Sequence, residues 1–181
     1  TEKMEFDQEK RASWYSHKSE VAKPYYYSAY LADYDIVAEV SPSERAAIFR
    51  FTFPETEKAY ILVDAFDKGS GIEILPEKNA IIGYTTRNSG GVPDNFKNYF
   101  VVQFDKPFQY KNVVKDGKIQ QQGNKVEADH TGAFIGFPAQ KGEKVIARVA
   151  SSFISYDQAW QNLKEVTEKE FETVKQEGRD A

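Results

Sequence analysis

Carboxylates are the only abundant reactive side chains in this sequence: 28 Asp and Glu stand beside two histidines, His17 and His130, and no cysteine. Without thiols there is no disulfide scaffold, zinc ribbon, iron–sulfur cluster or cysteine nucleophile. The enzyme chemistry compatible with this composition is acid–base work by paired carboxylates, as in cleavage of a glycosidic bond. Asp64 and Asp67, in Leu62-Val63-Asp64-Ala65-Phe66-Asp67, are the tightest pair at a strand end. Three positions apart in an extended chain they point to opposite faces, so they read as turn-initiating or solvated acids. Neither histidine has metal-ligand spacing, and Asp129-His130-Thr131-Gly132 reads as a turn, which leaves structural or solvated histidines. No residue qualifies as catalytic or metal-ligating.

Two further features bear on binding. The run Tyr25-Tyr26-Tyr27 with Tyr30 and Tyr34 offers a stacking platform for sugar rings, or fills the core with alternate tyrosines while their neighbours brace the outer face. The stretch Asn88-Ser89-Gly90-Gly91-Val92-Pro93-Asp94-Asn95 is long, glycine-rich and flanked by apolar strands, so its backbone can approach a ligand or a neighbouring domain. It lacks the Lys-Ser/Thr of a phosphate loop, and it reads equally as a binding loop and as a hairpin loop without a role.

The elements that must carry these residues are mostly strands. The chain has 181 residues, one domain's worth, with 13 Phe, 11 Tyr and 2 Trp against a single Met. Aromatic and β-branched side chains fit a half-buried pleated surface. Residues 25–31 and 34–41 alternate as half-buried strands, and 44–53 places Phe49, Phe51 and Phe53 on one face before Pro54 stops it. Residues 60–63 are continuously apolar, which predicts cover on both faces. Further strands are expected at 72–75, 80–84, 99–104, 133–137 and 144–154. Asp116-Gly117 marks a hairpin, followed by an exposed polar edge over 120–124. At Ser155 the period changes. Ser155 with Gln158, and Thr167 with Glu170, form capping-box patterns, and Trp160, Leu163, Phe171 and Val174 recur at near-helical spacing. The expected architecture is mainly β, a large antiparallel sandwich over residues 1–154 with a helical segment over 155–181. The apolar residues of that tail need a packing partner, which suggests a longer parent protein. The first dozen residues are charged and read as loosely ordered, or as part of an element whose partner lies upstream.

Charge narrows the partners. Lys and Arg number 24 against 28 acids, a net charge of −4 with no block of like charge, which argues against a nucleic-acid or polybasic membrane-surface role. The apolar stretches fall well short of the ~20 residues of a membrane span. Residues 1–10 are polar, without the apolar region of a signal peptide, so the sequence reads as a mature or excised chain.

Tyr15-Ser16-His17-Lys18-Ser19-Glu20, then Pro24-Tyr25-Tyr26-Tyr27, Leu31-Ala32-Asp33-Tyr34, Ala38-Glu39-Val40-Ser41 and Arg50-Phe51-Thr52-Phe53-Pro54 follow one another in an order that is more specific than any one motif. In that order the chain resembles the N-terminal domain of the glycoside hydrolase family 92 exo-acting α-mannosidases. Residues 149–159 with Asn162-Leu163 are similar to that family's last strand and linker helix. The sequence departs from the pattern at Tyr25, where glycine is usual, at Phe49, where histidine is common, and at Gly91-Val92, where glycine-tryptophan is usual. An upstream histidine-leucine-serine-glycine segment is also missing, so the resemblance implies a domain trimmed at its start.

The resemblance implies a galactose-mutarotase-like supersandwich with a C-terminal linker helix. It further implies an inverting, calcium-dependent hydrolysis of α-linked mannose whose general acid, general base and metal ligands belong to a helical-barrel domain C-terminal to this chain. The calcium is then expected in that absent catalytic domain, with no cofactor in this chain. The expected partners are the catalytic domain of the same polypeptide and mannose-containing glycans, in a secreted or periplasmic setting. Asn88, Ser89, Gly90, Gly91 and Asp94 are the residues expected to reach the sugar site or the domain interface. The alternative is an independent carbohydrate-binding β-sandwich using Trp14 and Tyr26.

Overall fold

The computed structural model describes residues 4–181; residues 1–3, where the expected 1–154 segment begins, lie outside the described residues. Among these the large sheet has nine antiparallel strands in the order β1 (Val21–Lys23), β2 (Tyr26–Leu31), β3 (Ile36–Pro42), β4 (Ala46–Phe53), β13 (Glu143–Ser152), β8 (Asn98–Phe104), β7 (Ala80–Thr85), β6 (Ser70–Leu75) and β11 (Lys125–Ala128). The small sheet runs β10 (Lys118–Ile119), β9 (Tyr110–Lys115), β12 (Thr131–Ala139) and β5 (Thr56–Asp64). Helices α1 (Tyr156–Leu163) and α2 (Phe171–Asp180) end the chain. This is the expected antiparallel β-sandwich with a helical C-terminal segment.

Alternation explains the main core. Phe49, Phe51 and Phe53 of β4 face the interior, where Phe53 joins Ile72, Ile74, Ile81, Val102, Phe104, Ile135, Phe137 and Val145 between the two sheets. The other face of β4 is not solvated. Ile48 packs with Ala46, Val101 and Ala150 beneath Ala159, Leu163, Val166, Phe171 and Val174 of the helical segment. Each fully buried aliphatic side chain of that layer contributes about 1.5–3 kcal/mol.

That packing corrects the expectation that the tail's apolar residues wait for a partner outside the chain: they cover the outer face of this sheet. It also explains why Glu39 and Ser41, on the face of β3 expected to meet water, are buried. Polar side chains hold the cover in place. Arg148 donates to the carbonyls of Val166 (2.9 Å) and Lys169 (3.0 Å), tying the turn between the helices to β13. Glu165 accepts from the Ser43 hydroxyl and from the Arg45 backbone and side chain.

The expected cap at Ser155 is present, its hydroxyl accepting from the Gln158 N–H at 3.1 Å. The second capping box is not: Thr167 Oγ1 donates back to the Leu163 carbonyl, and α2 begins after Glu170 without a side-chain cap. Residues 120–124 are likewise not the sheet edge. They form the loop between β10 and β11, which are edge strands of the small and the large sheet respectively.

The small sheet is covered on both faces, which accounts for the unbroken apolar run in β5. Ile61 and Val63 face the main core, while Tyr60 and Leu62 meet Phe6, Val114, Phe134 and Met4 on the far side. The N-terminal segment from Met4 is therefore docked rather than loosely ordered. Arg11 fastens it, donating to the Phe6 carbonyl (2.8 Å) and to Asp64 Oδ2 (2.6 Å).

Candidate functional site

The loop between β7 and β8 grows out of a tightly bonded base. The Thr86 N–H donates to the Gly69 carbonyl at 2.9 Å, and its hydroxyl reaches the Lys68 and Gly69 carbonyls. Arg87 pairs with Asp67 at 2.7 Å and lies 5.1 Å from the Phe66 ring centroid. Asn88 Oδ1 accepts from the Gly90 N–H at 2.8 Å, an Asx turn that sets the loop's direction. Gly90 and Gly91 then take φ of +103° and +74°, which side chains rarely adopt, with open space where a Cβ would stand. The loop returns through the Pro93 carbonyl, which accepts from the Phe96 N–H, into Asn98 at the start of β8. The Asn98 side-chain oxygen is buried without a hydrogen-bond partner among the described residues. It is an acceptor still open at the loop's base.

Asn88, Ser89, Gly90, Gly91 and Asp94 all line one open cleft of about 620 Å³ with Lys68, Thr86 and Phe96. The structure thus brings the five expected residues together. Phe96 meets Phe153 at 5.5 Å between ring centroids. Beyond it Phe153 is 70% and Ile154 76% exposed, and Val92 also faces outward. The apolar pattern of residues 144–154 predicts a strand through Ile154 and so hides both side chains, whereas β13 ends at Ser152 and releases them. Phe66, at φ +65°, adds a further exposed ring.

The titratable groups lie elsewhere. Asp64 and Asp67 do part company, but Asp64 is not solvated: it accepts from Arg11, from the Phe66 N–H and from His130 Nε2 at 2.7 Å. His130 is structural, its ring tilted at 55° to that of Phe6 with 4.7 Å between centroids. Burial works to raise the Asp64 carboxyl, yet the bonds from His130 and Arg11 outweigh it and hold the carboxyl below its usual range. A depressed folded-state pKa adds stability above the unfolded value of about 3.9, and that stability is lost as pH falls through the folded value. Asp64→Asn is therefore expected to cost about 1.5–3 kcal/mol at pH 7. Urea titrations at descending pH should show the gap to the parent chain closing below about pH 4.

His17 pairs with Glu20 at 2.6 Å on the surface, and Glu20 also accepts from Tyr27. Tyr26 is no sugar platform. Its hydroxyl donates to Glu39, the Phe171 ring stands 6.2 Å away, and Lys175 Nζ sits 3.7 Å from its centroid, so α2 covers it. The Trp14 ring is free, at 70% exposure for the residue. Among the described residues no group of three or more His, Asp or Glu is arranged to hold a metal ion. Among the described residues no helix is long and apolar enough to cross a membrane.

The glycosyl hydrolase family 92 N-terminal domain profile matches residues 1–152. Among solved structures, the family 92 inverting mannosidase BT2199 from Bacteroides thetaiotaomicron is 36% identical over 98% of this chain, with a TM-score of 0.93. The α-mannosidase BT3965 from the same organism, solved with mannoimidazole, is 30% identical over 93% of the chain with a TM-score of 0.84. The chain covers 24% and 23% of those two proteins. No curated protein matches it.

Proposed function

Because the chain belongs to the glycosyl hydrolase family 92 N-terminal domain family, we propose that it is the non-catalytic β-sandwich of a secreted or periplasmic, calcium-dependent inverting exo-α-mannosidase. In this reading it braces a catalytic helical barrel and lends the loop of residues 88–94 to the sugar site. Residues 155–181 then lead towards that barrel while roofing the sandwich. Inversion needs an acid and a base far enough apart to admit a water. Those groups, and the calcium, are assigned to the catalytic domain.

The observation that carries the reading is the apolar rim of Phe153, Ile154 and Val92 beside the loop cleft, since exposed apolar patches rimmed by polar residues mark contact surfaces. It fits a neighbouring domain meeting this one where pockets commonly form. For the alternative, an independent sugar-binding module, only Trp14 of the two expected aromatics is accessible.

The purified chain is expected to release no mannose from α-1,2-mannobiose. The full-length polypeptide should release it with inversion, visible as the anomeric signal of the first-formed product by NMR. Phe153→Ser with Ile154→Ser should lower kcat/KM of the full-length protein by about tenfold or more, while the isolated chain keeps its melting temperature. Mannose release by the isolated chain would sink the accessory role.

A further inference from the structure

On the outer face of the large sheet, at the end that bears the loop, Tyr84 of β7 and Tyr99 of β8 are register partners whose rings lie 6.4 Å apart. Tyr156, at the first position of α1, meets Tyr99 edge-on at 4.9 Å. Trp160 follows one helical turn later on the same helix face. Gly71 of β6 makes the floor: a Cβ there would stand 2.5 Å from Tyr84 Cε1, so only glycine lets that ring rest on the strand backbone. All four rings are half-buried.

We propose that this row of Tyr84, Tyr99, Tyr156 and Trp160 is a binding surface for a pyranose oligosaccharide, held by stacking on the rings and by hydrogen bonds to the polar groups around them. The apolar C–H face of a sugar ring matches an aromatic face, and tyrosine and tryptophan present such faces with few rotamers to freeze. Glu127 lies opposite Gly71, and Glu73 opposite Ile82, on the sheet face that carries Tyr84. With Asp157 and Gln161 beside Trp160 they supply acceptors and a donor for hydroxyls. Lys97 and Lys78 rest over Tyr84 and Trp160, at 4.0 and 5.6 Å, on flexible stems that an incoming ring can displace. Burial first, and the neighbouring phenols and carboxylates after it, push the Tyr156 hydroxyl up to about 12, so it remains a donor throughout the physiological range.

The charges argue for a sugar rather than a protein. Lys97 and Lys78 stand over the ring faces of Tyr84 and Trp160, so charge lies at the centre of the surface, where protein interfaces are depleted of it. The strongly exposed apolar side chains Phe153 and Ile154 belong to the loop rim instead.

The surface lies on this chain alone, and only mannose as the sugar rests on the proposed function. The test titrates the labelled chain with α-1,2-mannobiose and, separately, cellobiose, following the aromatic ring resonances by NMR. Saturable shifts at Tyr84, Tyr99, Tyr156 and Trp160 are expected, with Kd on the order of 1 mM. Tyr60 and Tyr110, paired on the small sheet, should stay unmoved. Tyr156→Ala should weaken binding about tenfold, and Tyr156→Phe, which keeps the ring and its packing, by less than about threefold. Cellobiose binding without mannobiose binding supports the surface and counts against the mannosidase reading. Silence of all four rings at roughly 20 mM of both sugars, or equal shifts at Tyr60 and Tyr110, overturns the proposal.

Discussion

Replacing Arg50 by alanine should destabilise the chain by about 3–5 kcal/mol at pH 7, read from urea unfolding. Arg50 stands on the helix-covered face of β4 and gives Nε and Nη2 to the two oxygens of Glu39, at 2.6 and 2.7 Å. Nη1 reaches Glu172 at 2.8 Å, and the guanidinium lies 4.1 Å from the Phe171 ring centroid. Tyr26 adds a third hydrogen bond to Glu39. Removing the arginine strands a carboxylate whose side chain is only 10% exposed. Arg50→Lys should recover part of the loss, because an ammonium restores the charge but not the two-pronged geometry. The pH dependence gives a sharper readout. Burial acts to raise the Glu39 carboxyl, and the bonds from Arg50 and Tyr26 more than offset it, so the pKa lies below the ordinary value. The pair's stability is therefore present above about pH 4.3 and lost as pH falls through the folded value. In Arg50→Ala burial dominates, the sign reverses, and the variant should gain on its parent as pH falls from 7 to 4. A constant difference across that range would contradict this account.

Removing residues 155–181 should abolish cooperative unfolding altogether. The truncated chain would bare Ile48, Val101 and Ala150, leave Arg148 without its carbonyl partners, and take Phe171 from Arg50. Calorimetry should find no sharp transition, and an apolar dye should bind. Leu163→Ala, a smaller version of the same loss, is expected to cost about 2–5 kcal/mol. A truncated chain melting at the parent's temperature would mean that the helices only lead elsewhere and contribute nothing to this fold.

What the sequence discloses follows from how local each signal is. The strands around Phe49, Phe51 and Phe53 are legible because alternation is written into consecutive residues. β11 is not, since Lys125-Val126-Glu127-Ala128 holds one strong β-former among charges. Alternation shows that Glu39 and Ser41 share a face, but not that a helix more than a hundred positions later will cover it. The Ser155 cap is readable because its motif is contiguous; Thr167 and Glu170 match the same pattern, and a hydrogen bond to Leu163 takes the hydroxyl instead. At the candidate site, Asn88 to Asp94 announces itself through its glycines. Phe153 and Ile154 do not, because nothing local marks where β13 leaves the sheet. Tyr84, Tyr99 and Tyr156 become neighbours only through the β7–β8 register and the position of α1.

The placement of β13 delays completion of the large sheet until late in synthesis. It is the last strand made, yet it fills the middle of the large sheet, pairing with β4 on one side and β8 on the other. Phe53 meets Glu143 only after roughly 90 further residues leave the ribosome, about 5–18 s at ordinary elongation rates. Until β13 is made, β4 and β8 lack the partner that each has in the finished sheet, and open strand edges of that kind present the unpaired amides and carbonyls that recruit strands from other chains.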